Sequence, residues 1–226
     1  MKNKELKKRI ITSIFLLTFV YLMFSYIYIL IISLIVISII SWIEFYGLIS
    51  KIFNENQFKI KFLKFIIKTL SLIYLILFSL FIFKGISDDN YNLNIIYLIS
   101  ICICSDIGGL VFGKIFKGRK LTKISPNKTI SGSIGSFTLS LLLVPFFYTL
   151  LHHQFSHVFY LTMLTIMVSL SCQLGDLFIS YLKRKANVKN TGDLLPGHGG
   201  FLDRIDGILL AIPVGMILFQ SMIFKI

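Results

Sequence analysis

Residues 157–182 read HVFYLTMLTIMVSLSCQLGDLFISYL, a run of 26 residues in which Asp176 is the only Asp, Glu, Lys or Arg. Because about 20 predominantly apolar residues suffice for an α-helix to cross a bilayer, this run predicts a membrane-spanning helix. Similar apolar runs occupy residues 65–83, 94–113, 132–151 and 207–224. Residues 10–43 are also nearly all apolar, and their break at Ser25-Tyr26 fits two short spans as a hairpin better than one long span. The sequence therefore predicts an all-α, polytopic transmembrane helix bundle of about seven spans.

The composition excludes a soluble chain. Hydrophobic residues make up 56% of the 226 positions and charged residues only 15%, with a mean hydropathy of +0.84. A soluble domain is nearer half apolar and a quarter charged, and a disordered chain is far less hydrophobic. The net charge of +13 does not indicate a nucleic-acid partner, because most Lys and Arg residues form short clusters between the apolar runs. The three cysteines lie in apolar stretches, so no disulfide framework is implied.

The distribution of basic residues predicts a cytoplasmic N-terminus. With that orientation, 21 of the 23 Lys and Arg residues fall on the inner side, counting Lys68 at the start of the third span. The inner segments are then residues 1–9, about 44–64, 114–131 and 183–206. Such asymmetry follows the positive-inside rule. We therefore expect a multi-pass protein of the cell's inner membrane whose basic segments lie at the cytoplasmic face. Residues 1–100 are expected to be structural, lipid-facing helices.

Carboxylates inside apolar helices are costly, and they usually face the protein interior or a water-filled cavity. Gln173, Asp176, Ser180 and Lys183 are spaced 3, 4 and 3 apart, which stacks them along one helix face. This face fits either a polar clamp between helices or a polar wall that descends from the cytoplasm into the bundle. The glycines after Asp106 favour close helix packing, which leaves the carboxylate itself unexplained. Glu44, by contrast, is expected to be a simple interfacial residue.

Two inner loops combine turn-forming residues with cations. Residues 125–129 read SPNKT, in which hydroxyls and Lys128 near a helix start suit phosphate oxygens. Pro196-Gly197-His198-Gly199-Gly200 is a turn whose backbone N–H groups can converge on an anion. Asp203 and Asp206 follow it on one helical face, with Arg204 between them. Carboxylates beside a glycine turn and several basic residues favour Mg²⁺ with phosphates, whereas the shortage of nearby His and Cys argues against zinc.

These motifs resemble those of the phosphatidate cytidylyltransferases, the CDP-diacylglycerol synthases, which are integral membrane enzymes. The C-terminal signature is SYLKRKANVKNTGDLLPGHGGFLDRID at residues 180–206, and the family usually has Asp where this chain has Asn190. Three more motifs match in the family's order: Ser105-Asp106-Ile107-Gly108, Ser125-Pro126-Asn127-Lys128-Thr129 and Gln173-Leu174-Gly175-Asp176. The resemblance covers about residues 102–207.

The resemblance implies that CMP passes from CTP to phosphatidic acid, giving CDP-diacylglycerol and pyrophosphate. It implies a centre of Mg²⁺ with a second cation such as K⁺, and a homodimer. It also implies that residues 101–226 are the catalytic region, with the active site at the cytoplasmic face. The expected catalytic residues are Asp176, Asp203, Lys183 and Arg204. The expected cation ligands are Asp176 and Asp203, with Asp106 and Asp206 as further candidates. The expected substrate-binding residues are Ser125, Asn127, Lys128, Thr129, Gln173, Arg184, Lys189, Gly197, His198, Gly199 and Gly200.

Two alternatives remain open from the residues alone. A related CTP-dependent enzyme that uses another lipid phosphate would carry the same motifs. A membrane transporter would also place carboxylates within spans, but it would distribute polar groups through several helices and often show internal repeats. Here the first, third and seventh spans are almost free of charge, and no repeat is evident.

Overall fold

The computed structural model describes residues 18–53, 58–122, 124–125, 128–151, 157–194 and 199–223. Within those ranges the regular elements are helices, and paired extended backbone is limited to isolated bridges such as Lys120–Thr129. The expected all-α class is therefore confirmed. The helices are α1 (Ile27–Ile52), α2 (Phe58–Ser87), α3 (Asp89–Phe116), α4 (Ile130–Leu141), α5 (Val144–Leu151), α6 (Val158–Lys185) and α7 (Leu202–Ile223).

Five stretches of the described chain are long and apolar enough to cross a membrane. They are Ile27–Ile52, Phe58–Ser87, Asn92–Phe116, Ile130–Leu151 and Val158–Lys185. Their exposed side chains include many of Leu, Ile, Val and Phe, as expected of helices surrounded by hydrocarbon. Helix α7 overlaps the predicted run 207–224. The count of seven spans and the cytoplasmic N-terminus stay predictions.

The predicted break at Ser25-Tyr26 is present. Residues 18–25 are helical, and Tyr26 is extended, with φ −132° and ψ 113°, immediately before α1. Its N–H still bonds to the Leu22 carbonyl, and its own carbonyl accepts from the N–H of Leu30, both at 3.0 Å. Much of the first predicted span lies outside the described residues, so its hairpin with the second stays a prediction.

The helices extend well beyond the apolar runs that predicted them. Helix α1 continues to Ile52 although its apolar run ends at residue 43, so Glu44 lies inside a helix rather than at the start of a loop. Helices α2 and α3 are separated by Asp88 alone. The loops expected at about 44–64 and 84–93 are therefore largely helical, because helix ends carry polar side chains that reach the interface.

The chain divides into two compact units, each with its own core. Unit 1 takes in the described residues of Met1–Ser87 and Leu182–Ile205. Here α1 packs against α2, with buried apolar side chains at the contact, and the Ser38 and Ser79 hydroxyls hydrogen-bond at 2.6 Å. The Trp42 indole N–H donates to the carbonyl of Lys68 at 3.1 Å.

Unit 2 takes in the described residues of Asp88–Tyr181 and Asp206–Ile226. Helices α3 and α4 approach closely at Gly108 and Gly135, where a Cβ on Gly108 would collide with the Gly135 carbonyl. The Ser136 hydroxyl donates to the Ser105 carbonyl across the same contact at 2.7 Å. The close packing expected of the glycines after Asp106 is therefore confirmed. The predicted difference in role between residues 1–100 and 101–226 concerns function, and it stays a prediction.

Candidate active site

Several predicted site residues lie in two clusters, one in each unit, which also include Ser180, Thr191 and Glu44. The α6 cluster lies in unit 2 and consists of Asp106, Lys128, Gln173, Asp176 and Ser180. The loop cluster lies in unit 1 and consists of Lys183, Thr191, Gly200, Asp203 and, from α1, Glu44. Three predicted residues, Asn127, Gly197 and His198, lie outside the described residues.

A short hairpin-like loop places Lys128 in the α6 cluster. The Leu121 N–H donates to the Lys128 carbonyl at 2.8 Å, and the Ile130 N–H donates to the Arg119 carbonyl at 2.9 Å. The Lys128 N–H closes the turn by donating to the Ser125 carbonyl at 3.1 Å. This hydrogen bond is the one expected between the first and fourth residues of a turn in the SPNKT sequence, whose two middle residues lie outside the described chain. It holds the lysine directly before the start of α4.

Thr129 begins α4 as its N-cap. Its backbone is extended, and its hydroxyl accepts from the Gly132 N–H at 3.1 Å. The first N–H groups of a helix have no partner within the helix, so this bond satisfies one of them. The same hydroxyl lies 3.1 Å from that of Ser131. Thr129, expected to bind substrate, thus has a structural role in the described chain.

Asp176 is paired with the lysine of the SPNKT loop. The Lys128 ammonium lies 2.5 Å from Asp176 Oδ2, and the two side chains are 25% and 31% exposed. The Ser180 hydroxyl donates to Asp176 Oδ1 at 3.4 Å, as expected of residues four apart on one helix face. Asp106 is exposed rather than packed in the core, and it lies within electrostatic range of both Asp176 and Lys128.

Gln173 acts as a clamp between helices. Its Oε1 accepts from the Ser133 hydroxyl of α4 at 2.5 Å. Its Nε2 is buried and has no hydrogen-bond partner among the described residues. The two interpretations of the α6 face are therefore compatible, because Gln173 joins two helices while Asp176 stays partly exposed. Gly175 lets α6 approach the Asp206 and Gly207 backbone closely enough to exclude a Cβ.

Asp203 is the centre of the loop cluster. Its Oδ1 accepts from the Lys183 ammonium at 2.6 Å, and the side chains are 9% and 16% exposed respectively. Its Oδ2 accepts from two backbone N–H groups, those of Thr191 at 2.9 Å and Gly200 at 3.3 Å. Asp203 lies in the first turn of α7, where a negative charge is favoured by the helix dipole. The carboxylate is therefore fixed from three directions.

The glycine turn differs from the predicted anion cradle in one respect. Gly199 has φ +82°, a conformation that glycine adopts without strain. The N–H of Gly200, however, donates to Asp203. The remaining predicted residues of this region, Arg184, Lys189 and Arg204, are exposed, and Asp206 Oδ1 accepts from the Gly207 N–H within unit 2.

Glu44 is a residue that the sequence interpretation missed. It is only 9% exposed, and its carboxylate accepts hydrogen bonds from Thr191, Phe201 and Leu202. The expectation that it is a simple interfacial residue is therefore wrong. The signal was available, because Glu44 is the only carboxylate in α1, and a carboxylate within an apolar helix usually faces the protein interior.

The oxygen donors of both clusters fit a hard cation. Mg²⁺ in nucleotide enzymes is held by one or two carboxylates together with substrate phosphates, rather than by a complete protein cage. In the part of the chain that the structure describes, no group of three or more His, Cys, Asp or Glu residues is arranged to hold a metal. Asp176 and Asp203 nevertheless each present a carboxylate that already attracts a cation, the ammonium of a lysine.

Comparison with known proteins identifies the family. A family model described as "Cytidylyltransferase family" matches residues 1–222. A phosphatidate cytidylyltransferase from Rickettsia prowazekii (strain Madrid E) is 41% identical over 145 residues, 60% of this chain and 62% of the relative. The same name is carried by a Bacillus subtilis (strain 168) protein that is 41% identical over 127 residues, 55% and 47% of the two chains. A Helicobacter pylori (strain J99) relative of that name is 36% identical over 150 residues, 66% and 54%.

The alignments cover less than two thirds of these relatives, 62% of the Rickettsia protein's length. The family model, by contrast, extends over nearly the whole chain and includes all four motifs. This chain belongs to the cytidylyltransferase family.

Proposed function

We propose that the chain is a phosphatidate cytidylyltransferase, which transfers CMP from CTP to phosphatidic acid and releases pyrophosphate. The observation that carries the proposal is the pair of lysine–carboxylate contacts, Lys128–Asp176 and Lys183–Asp203. Each is built from residues of the motifs that resemble the family, and each combines a carboxylate with a cation suited to phosphate. The names of the relatives support the same activity.

The reaction requires alignment of two anions more than it requires a protein nucleophile. A phosphate oxygen of phosphatidic acid attacks the α-phosphorus of CTP, and the bond between that phosphorus and the bridging oxygen of the β-phosphate breaks. Pyrophosphate leaves with the bridging oxygen, and CDP-diacylglycerol remains. Positioning and neutralisation of charge account for most of the catalysis in such transfers.

The chain's own residues supply the charge for this alignment. Lys128 and Lys183 would donate to phosphate oxygens, with Arg184, Lys189 and Arg204 as further cations on exposed positions. Gln173 has a buried Nε2 without a partner among the described residues, which suits an acceptor oxygen of a substrate. The proposed roles of Ser125, Asn127, Gly197, His198 and Gly199 follow from their places in the matched motifs.

Asp176 and Asp203 are each proposed as a ligand of a divalent cation, with Asp106 and Asp206 as further ligands. Mg²⁺, with K⁺ as a second cation, would neutralise the phosphate charge that grows during transfer. When a cation and a phosphate arrive at either carboxylate, the lysine now paired with it can turn to the phosphate. The lysines thus balance the carboxylates until substrate is present.

The proposal also assigns a membrane location and an assembly. The N-terminus and the two basic loops are placed at the cytoplasmic face of the inner membrane, where CTP is available, and the chain is proposed to form a homodimer. Phosphatidic acid would enter from the bilayer. The concentration of polar residues in two motif-bearing clusters does not favour a transporter, which would need a polar path through several spans.

The test is formation of CDP-diacylglycerol from labelled CTP and phosphatidic acid by the purified chain in detergent with Mg²⁺. The Asp203→Asn variant runs alongside as the control for the site. Product that depends on Asp203 supports the proposal. Absence of product from folded wild-type protein would overturn it, and product formed only with another lipid phosphate, such as an ether-linked one, would assign the alternative substrate.

A further inference from the structure

A carboxylate from α1 holds the start of α7. Glu44 Oε1 accepts from the Phe201 N–H at 2.9 Å, and Oε2 accepts from the Leu202 N–H at 2.9 Å. Leu202 is the first residue of α7, so these N–H groups have no partner within the helix. Oε2 also accepts from the Thr191 hydroxyl at 2.6 Å. Glu44 therefore caps α7 from a different helix, and the contacts lie entirely within unit 1.

The backbone of the signature loop closes around this carboxylate. A Cβ added to Gly192 would lie 2.7 Å from Glu44 Oε1, and a Cβ added to Gly200 would lie 2.6 Å from Oε2. Real Cβ atoms essentially never approach so closely, so a side chain at Gly192 would displace the Glu44 carboxylate, and one at Gly200 would also collide with the Gly192 backbone N. The loop is thus shaped to the carboxylate on two sides, in addition to the three hydrogen bonds.

The same loop binds Asp203, which links the two carboxylates. Thr191 donates its hydroxyl to Glu44 and its N–H to Asp203. The N–H of Gly200 goes to Asp203, and the next two N–H groups, of Phe201 and Leu202, go to Glu44. A shift of the loop away from Glu44 would therefore also move the donors that fix Asp203.

The donors to Glu44 show why the residue is an acid. Each described partner of its carboxylate donates a hydrogen, and ionised oxygens accept such bonds most strongly. A glutamine would place an NH₂ group where one oxygen now accepts an N–H, which sets donor against donor. No lysine or arginine of the described chain lies within 4 Å of the Glu44 oxygens, so the helix N-terminus and the hydroxyl compensate the charge.

We propose that Glu44 is a positioning residue for the transfer reaction, acting through the signature loop to hold Asp203 in place for its cation or phosphate partner. This inference rests on the proposed function. A residue of the N-terminal half, Glu44, then helps to assemble the site, although all four motifs lie in the C-terminal part of the chain. Glu44 itself contacts the loop and not the substrate.

The test compares Glu44→Gln with Ser41→Ala in the full chain, purified in detergent. Ser41 is buried one turn earlier on α1, and among the described residues its hydroxyl bonds only to the Ile37 carbonyl of its own helix, at 2.7 Å. Rates are measured against CTP and against phosphatidic acid. Glu44→Gln should lower kcat by about 10- to 100-fold, as is typical when the support of a ligand is lost. The KM for phosphatidic acid should change by less than about threefold, because groups that bind it directly remain. Ser41→Ala should match wild type.

Hydrogen exchange on the same proteins separates positioning from general damage. In Glu44→Gln, amides of residues 199–205 should exchange faster, whereas those of residues 161–172 in α6 should be unchanged. If exchange rises throughout the chain in Glu44→Gln, the Thr191→Val variant tests the inference instead. It removes one hydroxyl contact to Glu44 and leaves the carboxylate in place, and it should also lower kcat. An unchanged kcat in that variant, or in a folded Glu44→Gln protein, would overturn the inference.

The outcomes distinguish this inference from the proposed function. If wild type makes no CDP-diacylglycerol, the proposed function fails whatever the variants show. If wild type is active and Glu44→Gln behaves like Ser41→Ala in both kinetics and exchange, only the role of Glu44 fails.

Discussion

The two lysine–carboxylate pairs are similar in chemistry and differ in how firmly they are held. Asp203 accepts from a lysine and two backbone N–H groups, and only 9% of its side chain is exposed. Asp176 accepts from a lysine and from one hydroxyl at the long distance of 3.4 Å, and 31% of its side chain is exposed. Exposed ion pairs are screened by water and contribute little stability, whereas a buried carboxylate with several donors is fixed in position.

We therefore expect the two carboxylates to have different roles. Asp203 already has the geometry it needs, so its loss should damage both the fold of the loop and the reaction. Asp176 and Lys128 can separate at small cost, which suits groups that exchange partners when substrate arrives. Variants of the two pairs should therefore affect activity and stability in different proportions.

The largest effect is expected from Asp203→Asn. The amide NH₂ would face either the Lys183 ammonium or the two N–H groups, so one set of donors loses its acceptor in a mostly buried place. We expect the rate of CDP-diacylglycerol formation to fall by about 100-fold or more, because a proposed cation ligand is lost as well. The thermal unfolding midpoint in detergent should also fall clearly.

The matched control for that variant is Asp193→Asn. Asp193 is an exposed carboxylate of the same loop, and its replacement changes the net charge by the same amount. Its activity and unfolding midpoint should stay near those of wild type. Equal effects of the two substitutions would mean that loop charge, rather than the contacts of Asp203, controls the reaction.

Asp176→Asn is expected to have a similar effect on activity and a smaller one on stability. The proposed cation ligand is removed, so formation of CDP-diacylglycerol should fall by about 100-fold. Lys128, a quarter exposed, can be solvated by water when its partner is neutralised. The unfolding midpoint should therefore shift less than in Asp203→Asn. Near-normal turnover would remove Asp176 from the site.

The fold class was predictable from the sequence because each helix carries its own signal. The apolar runs at 94–113 and 157–182 are long enough to cross a bilayer, and α3 includes the first completely and α6 all of the second except His157. The ends of the helices were less predictable. Polar residues such as Glu44 can continue a helix once tertiary contacts satisfy them, and hydropathy registers only the apolar part.

The site was predictable in its residue types and less so in its contacts. Asp176 was identifiable because a carboxylate within an apolar helix is costly, and Asp203 because it follows a glycine turn among basic residues. The partner of each one was not, because no spacing rule connects Lys128 with Asp176. The contact between Glu44 and Thr191 joins residues 147 positions apart. Periodicity along a helix carries no information about such long-range pairs, so the role of the N-terminal half became visible only in the folded chain.

Lys128→Ala should have a more moderate effect than either carboxylate variant. One charge-assisted hydrogen bond to a phosphate is lost, so we expect the apparent KM of a substrate to rise by about tenfold, with kcat changed less. Steady-state rates at varied CTP and varied phosphatidic acid would show which substrate is affected. Lys120→Ala is the control, because Lys120 is an exposed cation of the same loop. A KM unchanged from wild type would mean that Lys128 does not bind substrate and serves only as one of the basic residues that set the orientation in the membrane.

Thr129→Ala is expected to have the smallest effect, and it tests whether the SPNKT loop acts through substrate or through the fold. The hydroxyl caps the Gly132 N–H at the start of α4, and loss of such a cap typically costs about 1 kcal/mol. Thermal unfolding should show this loss, and Thr129→Ser should restore the stability because serine keeps the capping oxygen. If Thr129 instead binds phosphate directly, Thr129→Ala would raise the KM as Lys128→Ala does and leave the unfolding midpoint unchanged. A raised KM would mean that the Thr129 hydroxyl binds phosphate together with Lys128. A lowered unfolding midpoint would mean that the hydroxyl acts as a helix cap, which fixes the backbone directly after Lys128 and so positions that lysine.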